Sequence, residues 1–365
     1  MNIPLIDLKT QYHELRLEIN GAISSAIDSM QLFLGPNVQK LEADFAEFCG
    51  ATYAIGVANG TEALSLSLRA LDIGRGDEVI CPSWTFMSTI EAIVHVGATP
   101  VLVDIDPHTY CMDPKRLAHT VNSRTRAVIP VHIYGHPCNM DVIRDICESR
   151  RVHIVEDACQ AHGARWHGKR VGSFGDTGAF SFYMSKNLAG YGEGGMITTN
   201  SDELNARLRA LRDHGQYQRG TFAEIGYNAR LDEIQAAIIN VKFKRLNKWN
   251  EARRSHADFY NEKLANTGLT LPHEASEAEH VYHLYTLRSP RRDRIAEALQ
   301  KAEIGFATHY KVPPHTHPAC EPFGLNQVPL PETMKAAGEV IQLPMYPELT
   351  ESQMERVVEV VKSAL

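Results

Sequence analysis

The sequence predicts an α/β fold, with a large three-layer domain on a mostly parallel seven-stranded sheet followed by a smaller C-terminal α/β domain. Two features of pattern and one of size predict it. Between Tyr53 and about Thr199, short β-branched runs alternate with helical stretches, the order that places helices on both faces of a parallel sheet. Beyond Asp232 this gives way to long helical periodicity with few breakers. At 365 residues, 44% of them hydrophobic, the chain holds enough apolar material for two cores.

The seven strands are expected at residues 53–57, 78–81, 100–104, 127–131, 153–157, 179–182 and 196–199, short β-branched runs bounded by polar or turn residues. Helical stretches at 61–71, 88–96 and 140–150 lie between them. From Glu233 to about Leu264, Ile234, Ala237, Ile238, Val241, Leu246 and Trp249 recur at helical spacing, as one long helix or two in series. A strand at 281–287, a helix at 291–302 and a last helix at 350–363 follow; the Pro-rich stretch 312–331 reads as a loop crossing the surface. Residues 1–235, with an N-terminal arm, are expected to form the large domain, and residues 236–365 the linking helix and the small one.

Composition removes several function classes. A formal net charge of -7 lacks the basic footprint of a nucleic-acid binder. The opening Met1-Asn2-Ile3-Pro4-Leu5-Ile6-Asp7 does not read as a signal peptide, and no apolar stretch is long enough to span a bilayer. Seven scattered cysteines without a C-x-x-C pair fit reduced thiols, and hence a cytoplasmic enzyme. His280/His283 and His315/His317 have metal-ligand spacing, but no Cys or carboxylate completes either set, and no metal is expected.

Ligands of such sheets bind beyond the carboxyl ends of the strands, where four passages concentrate polar residues. In Phe180-Ser181-Phe182-Tyr183-Met184-Ser185-Lys186-Asn187, followed by Gly192-Glu193-Gly194-Gly195, a strand end presents a lysine in a mostly apolar, Gly-rich loop. Desolvation there lowers a lysine's pKa toward the reactive neutral amine. In Ile154-Val155-Glu156-Asp157-Ala158-Cys159-Gln160, Asp157 ends an apolar strand, where a carboxylate needs a partner. That partner is a protonated ring nitrogen, a local Arg such as Arg165, or the start of the next helix. Ala58-Asn59-Gly60-Thr61 joins a strand to a helix whose first N–H groups suit a phosphate, or form a plain helix cap. Trp84 and Phe86, just past another strand, are placed to stack on a heterocycle or to fill core.

Together these passages resemble the DegT/DnrJ/EryC1/StrS family of sugar aminotransferases, within fold-type I pyridoxal 5′-phosphate (PLP) enzymes. The likeness runs from Ile3 to about Val361 and includes Leu34-Gly35-Pro36, Gly97-Ala98-Thr99-Pro100, Ile129-Pro130-Val131-His132 and Gly226-Tyr227-Asn228-Ala229-Arg230-Leu231-Asp232. It implies that Lys186 is the Schiff-base lysine, that Asp157 pairs with the pyridine nitrogen and that Gln160 contacts the ring hydroxyl. Phe86 stacks on the ring, with Trp84 ranked second, and Gly60, Thr61 and Ser181 hold the phosphate. Asn228 reaches the phosphate of the other subunit, so a homodimer with shared sites is implied. Arg230, His309 and Tyr310 contact substrate. Met184-Ser185 departs from the commoner dipeptide before the lysine, and Glu193 stands where Asp is also frequent.

The implied reaction moves an amino group from a donor, L-glutamate by family habit, onto a keto group of a nucleotide-linked sugar in amino-sugar biosynthesis. Dehydratase relatives carry His in place of the lysine, and Lys186 speaks against that chemistry. A keto-cyclitol acceptor and a non-catalytic PLP-binding regulator of the same fold are the alternatives. The opening and the Val281-Tyr282-His283 stretch look like relatives that aminate C3, whereas Gly192-Glu193-Gly194-Gly195 looks like relatives that aminate C4; C3 is preferred.

Overall fold

Seven strands build the central sheet of the computed structural model, which describes residues 2–365. They are β1 (Tyr53–Val57), β2 (Glu78–Pro82), β3 (Thr99–Val103), β4 (Thr125–Val128), β5 (His153–Asp157) and, after a short hairpin of β6 (Arg165–Trp166) and β7 (Lys169–Arg170), β8 (Thr177–Ser181) and β9 (Gly195–Thr199). Their spatial order is β1-β9-β8-β5-β4-β2-β3. Neighbours pair in parallel except at β9, which runs antiparallel to both β1 and β8. The carboxyl ends of the other strands therefore share one edge. Every residue of β2, β8 and β9 is buried, as a sheet covered on both faces requires.

The N-terminal segment forms α1 (Leu8–Ser29) and α2 (Pro36–Cys49) ahead of the sheet. Its connections carry α3 (Gly60–Ala70), α4 (Met87–His95), α5 (Pro114–Thr120), α6 (Met140–Arg150) and α7 (Asp202–Arg212). α3 buries Ala63, Leu64, Leu66 and Leu68 completely; Asn59 Oδ1 caps it by accepting from the Glu62 N–H at 2.9 Å. An exposed hairpin of β10 (Gln216–Gln218) and β11 (Thr221–Phe222) follows α7.

The helical stretch after Asp232 is two helices, α8 (Glu233–Phe243) and α9 (Leu246–Leu264). Its break lies at Lys244-Arg245, where the Arg245 N–H takes the Lys242 carbonyl in a tight turn. β12 (Ala278–Glu279) then pairs with β6. The strand expected at 281–287 is shorter: β13 (Tyr285–Arg288) pairs antiparallel with β14 (Val340–Leu343). Tyr282 takes a left-handed conformation at φ 43, and the Val281 and Leu284 N–H groups bond to the Gly135 and Tyr134 carbonyls instead of a ladder. α10 (Arg292–Lys301), α11 (Pro331–Glu339) and α12 (Glu351–Ser363) complete the chain. The Pro-rich stretch holds three 3₁₀ turns and buries Pro314, His315, Cys320 and Leu325, so it packs as well as crosses. Tyr260, Tyr285, Leu287, Ile341 and Val357 form an apolar cluster that Ile3 joins. No described helix is long and apolar enough to cross a membrane.

Candidate active site

β8 ends at Ser181, and the chain leaves the sheet in a turn closed by the Lys186 N–H on the Tyr183 carbonyl at 2.9 Å. Lys186 is half-buried. Loss of solvation pushes its pKa down, against upward pulls from Cys159, Asp157 and Glu193. The loop stays fixed beyond the lysine because Gln235 of α8 grips Tyr191 by both backbone groups, at 2.8 and 3.1 Å. A Cβ on Gly190 would lie 2.5 Å from Gln235 Oε1, so that grip needs glycine.

Asp157, the last residue of β5, is 5% exposed. Its Oδ2 accepts from Thr89 Oγ1 at 2.9 Å and its Oδ1 from the Cys159 N–H at 3.2 Å. Neither Arg165 nor a helix cap takes the carboxylate: Arg165 bonds the Gly168 carbonyl and pairs with Glu279. Gln160 accepts from the Tyr134 N–H at 2.8 Å and donates to Tyr310 Oη at 3.3 Å. Tyr134 in turn accepts from Trp84 Nε1 at 2.8 Å and donates to the His309 carbonyl. Burial, and next the Lys186 charge, lowers the His309 pKa; burial raises that of Tyr310. Lys186, Asp157, Gln160, His309 and Tyr310 thus share one neighbourhood.

Gly60 opens α3 against the end of β8. An added Cβ would meet Ser181 Cβ at 2.8 Å and Cys159 Sγ at 2.9 Å, so the free N–H groups of the helix sit directly beside Ser181. That end of α3 also carries Thr61. The two aromatic candidates separate clearly. Trp84 is fully buried against Tyr110 and Tyr310, whereas Phe86, one turn before Thr89, is 60% exposed.

Asn228 and Arg230 stand apart from this cluster. Arg230 pairs with Asp213 at 2.8 Å, donates to Asn228 Oδ1 at 2.7 Å and lies over the Phe33 ring. Their backbone runs beside the end of β1, with the Ala58 N–H on the Ala229 carbonyl at 2.9 Å. Asn228 is exposed. Sequence reasoning missed Thr89 and Tyr134. Thr89 lies one turn after Phe86 at the start of the same helix, which is a usable signal; Tyr134 is set by a left-handed φ of 58 that no local motif announces.

The donor set fits PLP. A helix N-terminus beside Ser181 suits a phosphate, a buried carboxylate with lone pairs to spare suits a protonated ring nitrogen, and a desolvated lysine lies in electrostatic reach of that carboxylate. The profile of the DegT/DnrJ/EryC1/StrS aminotransferase family matches residues 13–362. A pleiotropic regulatory protein of Geobacillus stearothermophilus is 42% identical over 362 residues, 98% of this chain and 97% of its own. A UDP-N-acetyl-3-dehydro-alpha-D-glucosamine 3-aminotransferase of Acidithiobacillus ferrooxidans is 41% identical over 363 residues, 100% of this chain and 98% of its own. The crystal structure of S. venezuelae DesV in complex with a ketimine intermediate is similar at a TM-score of 0.96 and 42% identity, covering 99% of this chain and 98% of that one. The chain belongs to the DegT/DnrJ/EryC1/StrS family of pyridoxal-phosphate aminotransferases.

Proposed function

We propose that this protein transfers an amino group from L-glutamate to the C3 keto group of a nucleotide-linked sugar, as a cytoplasmic homodimer whose two sites are shared between subunits. The convergence of Lys186, Asp157 and the Gly60 end of α3 on one edge of the sheet carries the reading. The 3-aminotransferase named among its relatives supports the nucleotide sugar and C3. Bound PLP supplies an electron-withdrawing ring that stabilises negative charge on the donor's α-carbon. Asp157 keeps the ring nitrogen protonated, Gln160 orients the ring through its hydroxyl, and Phe86 covers one face. Gly60, Thr61 and Ser181 hold the phosphate. Lys186 Nζ, when neutral, would act as the base that takes the proton off the donor's α-carbon, and in the second half would deliver a proton to the former keto carbon of the acceptor. His309 and Tyr310 line the acceptor side, and Arg230 offers a planar fork to paired oxygens of substrate.

A mass-spectrometric screen of keto nucleotide sugars with glutamate as donor, followed by NMR of the product, tests this directly. A 3-amino nucleotide sugar is the expected product. Amination at C4 overturns the position, amination of a keto-cyclitol alone overturns the substrate class, and PLP binding without turnover of any acceptor favours a regulator.

The shared site has its own test. Asn228→Ala should weaken PLP retention, whereas a residue that only accepts a hydrogen bond from Arg230 would leave cofactor affinity unchanged. Mixing Lys186→Ala with Asn228→Ala chains should restore activity, because one site of each mixed dimer holds both native residues. Confirmed subunit exchange with no recovery would refute sharing.

A further inference from the structure

We propose that Asn187 and Asn250 form a buried brace that fixes Lys186 relative to Asp157, with His283 as the brace's terminal donor; the proposal rests on the transaminase reading above. Asn187 directly follows the lysine and is 4% exposed. Its Nδ2 donates to Asn250 Oδ1 at 2.9 Å and to the Val281 carbonyl at 3.1 Å, and its Oδ1 faces His283 Nδ1 at 3.1 Å. Asn250, on α9 and 7% exposed, donates from Nδ2 to the His162 carbonyl at 2.8 Å. His162 belongs to the loop that begins at Asp157 and holds Gln160. The brace thus ties the loop of the lysine to the loop of the carboxylate through one helix.

The ends of the chain fix its direction. The Val281 and His162 carbonyls only accept, so both amides turn their NH₂ groups toward them. Asn187 Oδ1 is then left facing the imidazole, and His283 Nδ1 must carry the ring proton. Burial, with the charges of Lys186 and Arg253, pushes the His283 pKa well below its ordinary value, so the ring stays neutral in this tautomer. Such a network specifies position because each member has its partner and none has an alternative. Placement matters at this point, since a 1 Å error in a reacting group costs about a hundredfold in rate.

Asn187→Asp and Asn250→Asp keep side-chain volume while setting an acceptor against an acceptor. The expected result is a kcat lower by on the order of tenfold to a hundredfold, with KM for both substrates within about threefold of wild type. Apo-protein of each variant should also regain the visible band of lysine-held PLP more slowly than wild type by a similar factor. A wild-type kcat and reloading rate in either folded variant would overturn the brace, as would a loss confined to KM. The ring proton offers a readout that needs neither variant nor cofactor: two-dimensional ¹⁵N NMR of wild-type apo-protein should show His283 as the Nδ1–H tautomer, and an Nε2–H tautomer would overturn it. Absence of transamination by the wild-type protein would sink the functional reading while leaving the tautomer result to stand alone.

Discussion

Lys186→Ala loses turnover and the visible absorbance of lysine-held PLP, while its melting temperature stays at or above that of wild-type apo-protein. The stability half of this expectation follows from where the residue sits. Its backbone N–H closes the turn on Tyr183 and is unaffected by the side chain, and the half-buried ammonium is destabilised by the loss of solvation that lowers its pKa. The rate half follows from its chemistry. Removing a positioned proton carrier costs about 10²–10⁴-fold, and losing the covalent hold on the cofactor adds to that. Stopped-flow single turnovers with glutamate, with absorbance spectra of the loaded protein, provide the measurement. A variant that kept both the wild-type band and the wild-type single-turnover rate would place the lysine outside the chemistry.

The legible parts of the fold were those whose burial is dictated locally. β5 centres on the β-branched pair Ile154-Val155 and ends in Glu156 and Asp157, and its bounds at His153 and Asp157 coincide with the expected ones. The opening helices were not read. α1 is 22 residues long but buries only Leu15, Ile19 and Ala26, so its apolar stripe is thin. α2 begins after Gly35 without a capping side chain of its own; its first N–H groups are taken by Glu233, nearly two hundred residues later. The strand expected at 281–287 is rich in apolar and aromatic residues, yet its first half follows the 134–135 loop, because backbone pairing there is decided by tertiary contact.

The candidate site divides the same way. Lys186 and Ser181 lie within one short segment and Asp157 and Gln160 within another, so both segments could be read as strand ends on the ligand-binding edge of the sheet. Gln160 and Tyr310 are 150 residues apart, and their hydrogen bond follows from the path of the C-terminal segment. Both Trp84 and Phe86 looked suited to stacking. The resemblance ranks Phe86 first, and packing separates them independently, since the indole is committed to Tyr134 and the core. Arg230 bonds to both Asn228 and Asp213 within the chain, and the place of this pair in a shared site is implied by the resemblance alone.

Asp157→Asn should retain PLP and slow removal of the donor's α-proton by about 10²–10³-fold, the loss seen when one preorganised electrostatic contact is removed. The substitution is structurally mild here. Asn Oδ1 can keep the Cys159 N–H, and Asn Nδ2 can donate to Thr89 Oγ1, whose hydroxyl can reverse because its bond to Thr85 works in either direction. A rate loss therefore cannot be assigned to a buried group left unpaired, which would itself cost about 1–3 kcal/mol. Nor can it come from a shortage of neutral amine. Asp157 raises the Lys186 pKa, so removing its charge lowers that pKa further and enlarges the neutral fraction. What remains is the proposed partner of Asp157, the ring nitrogen, which without the carboxylate would no longer hold its proton as charge builds on the ring. Thr89→Val is the control, because it keeps the carboxylate and removes one hydrogen bond to it, and its effect should be no more than about tenfold. Single turnovers with α-deuterated glutamate should show a larger isotope effect in Asp157→Asn than in wild type. A near-normal proton-transfer rate in that variant, with PLP bound, would remove Asp157 from the role given to it.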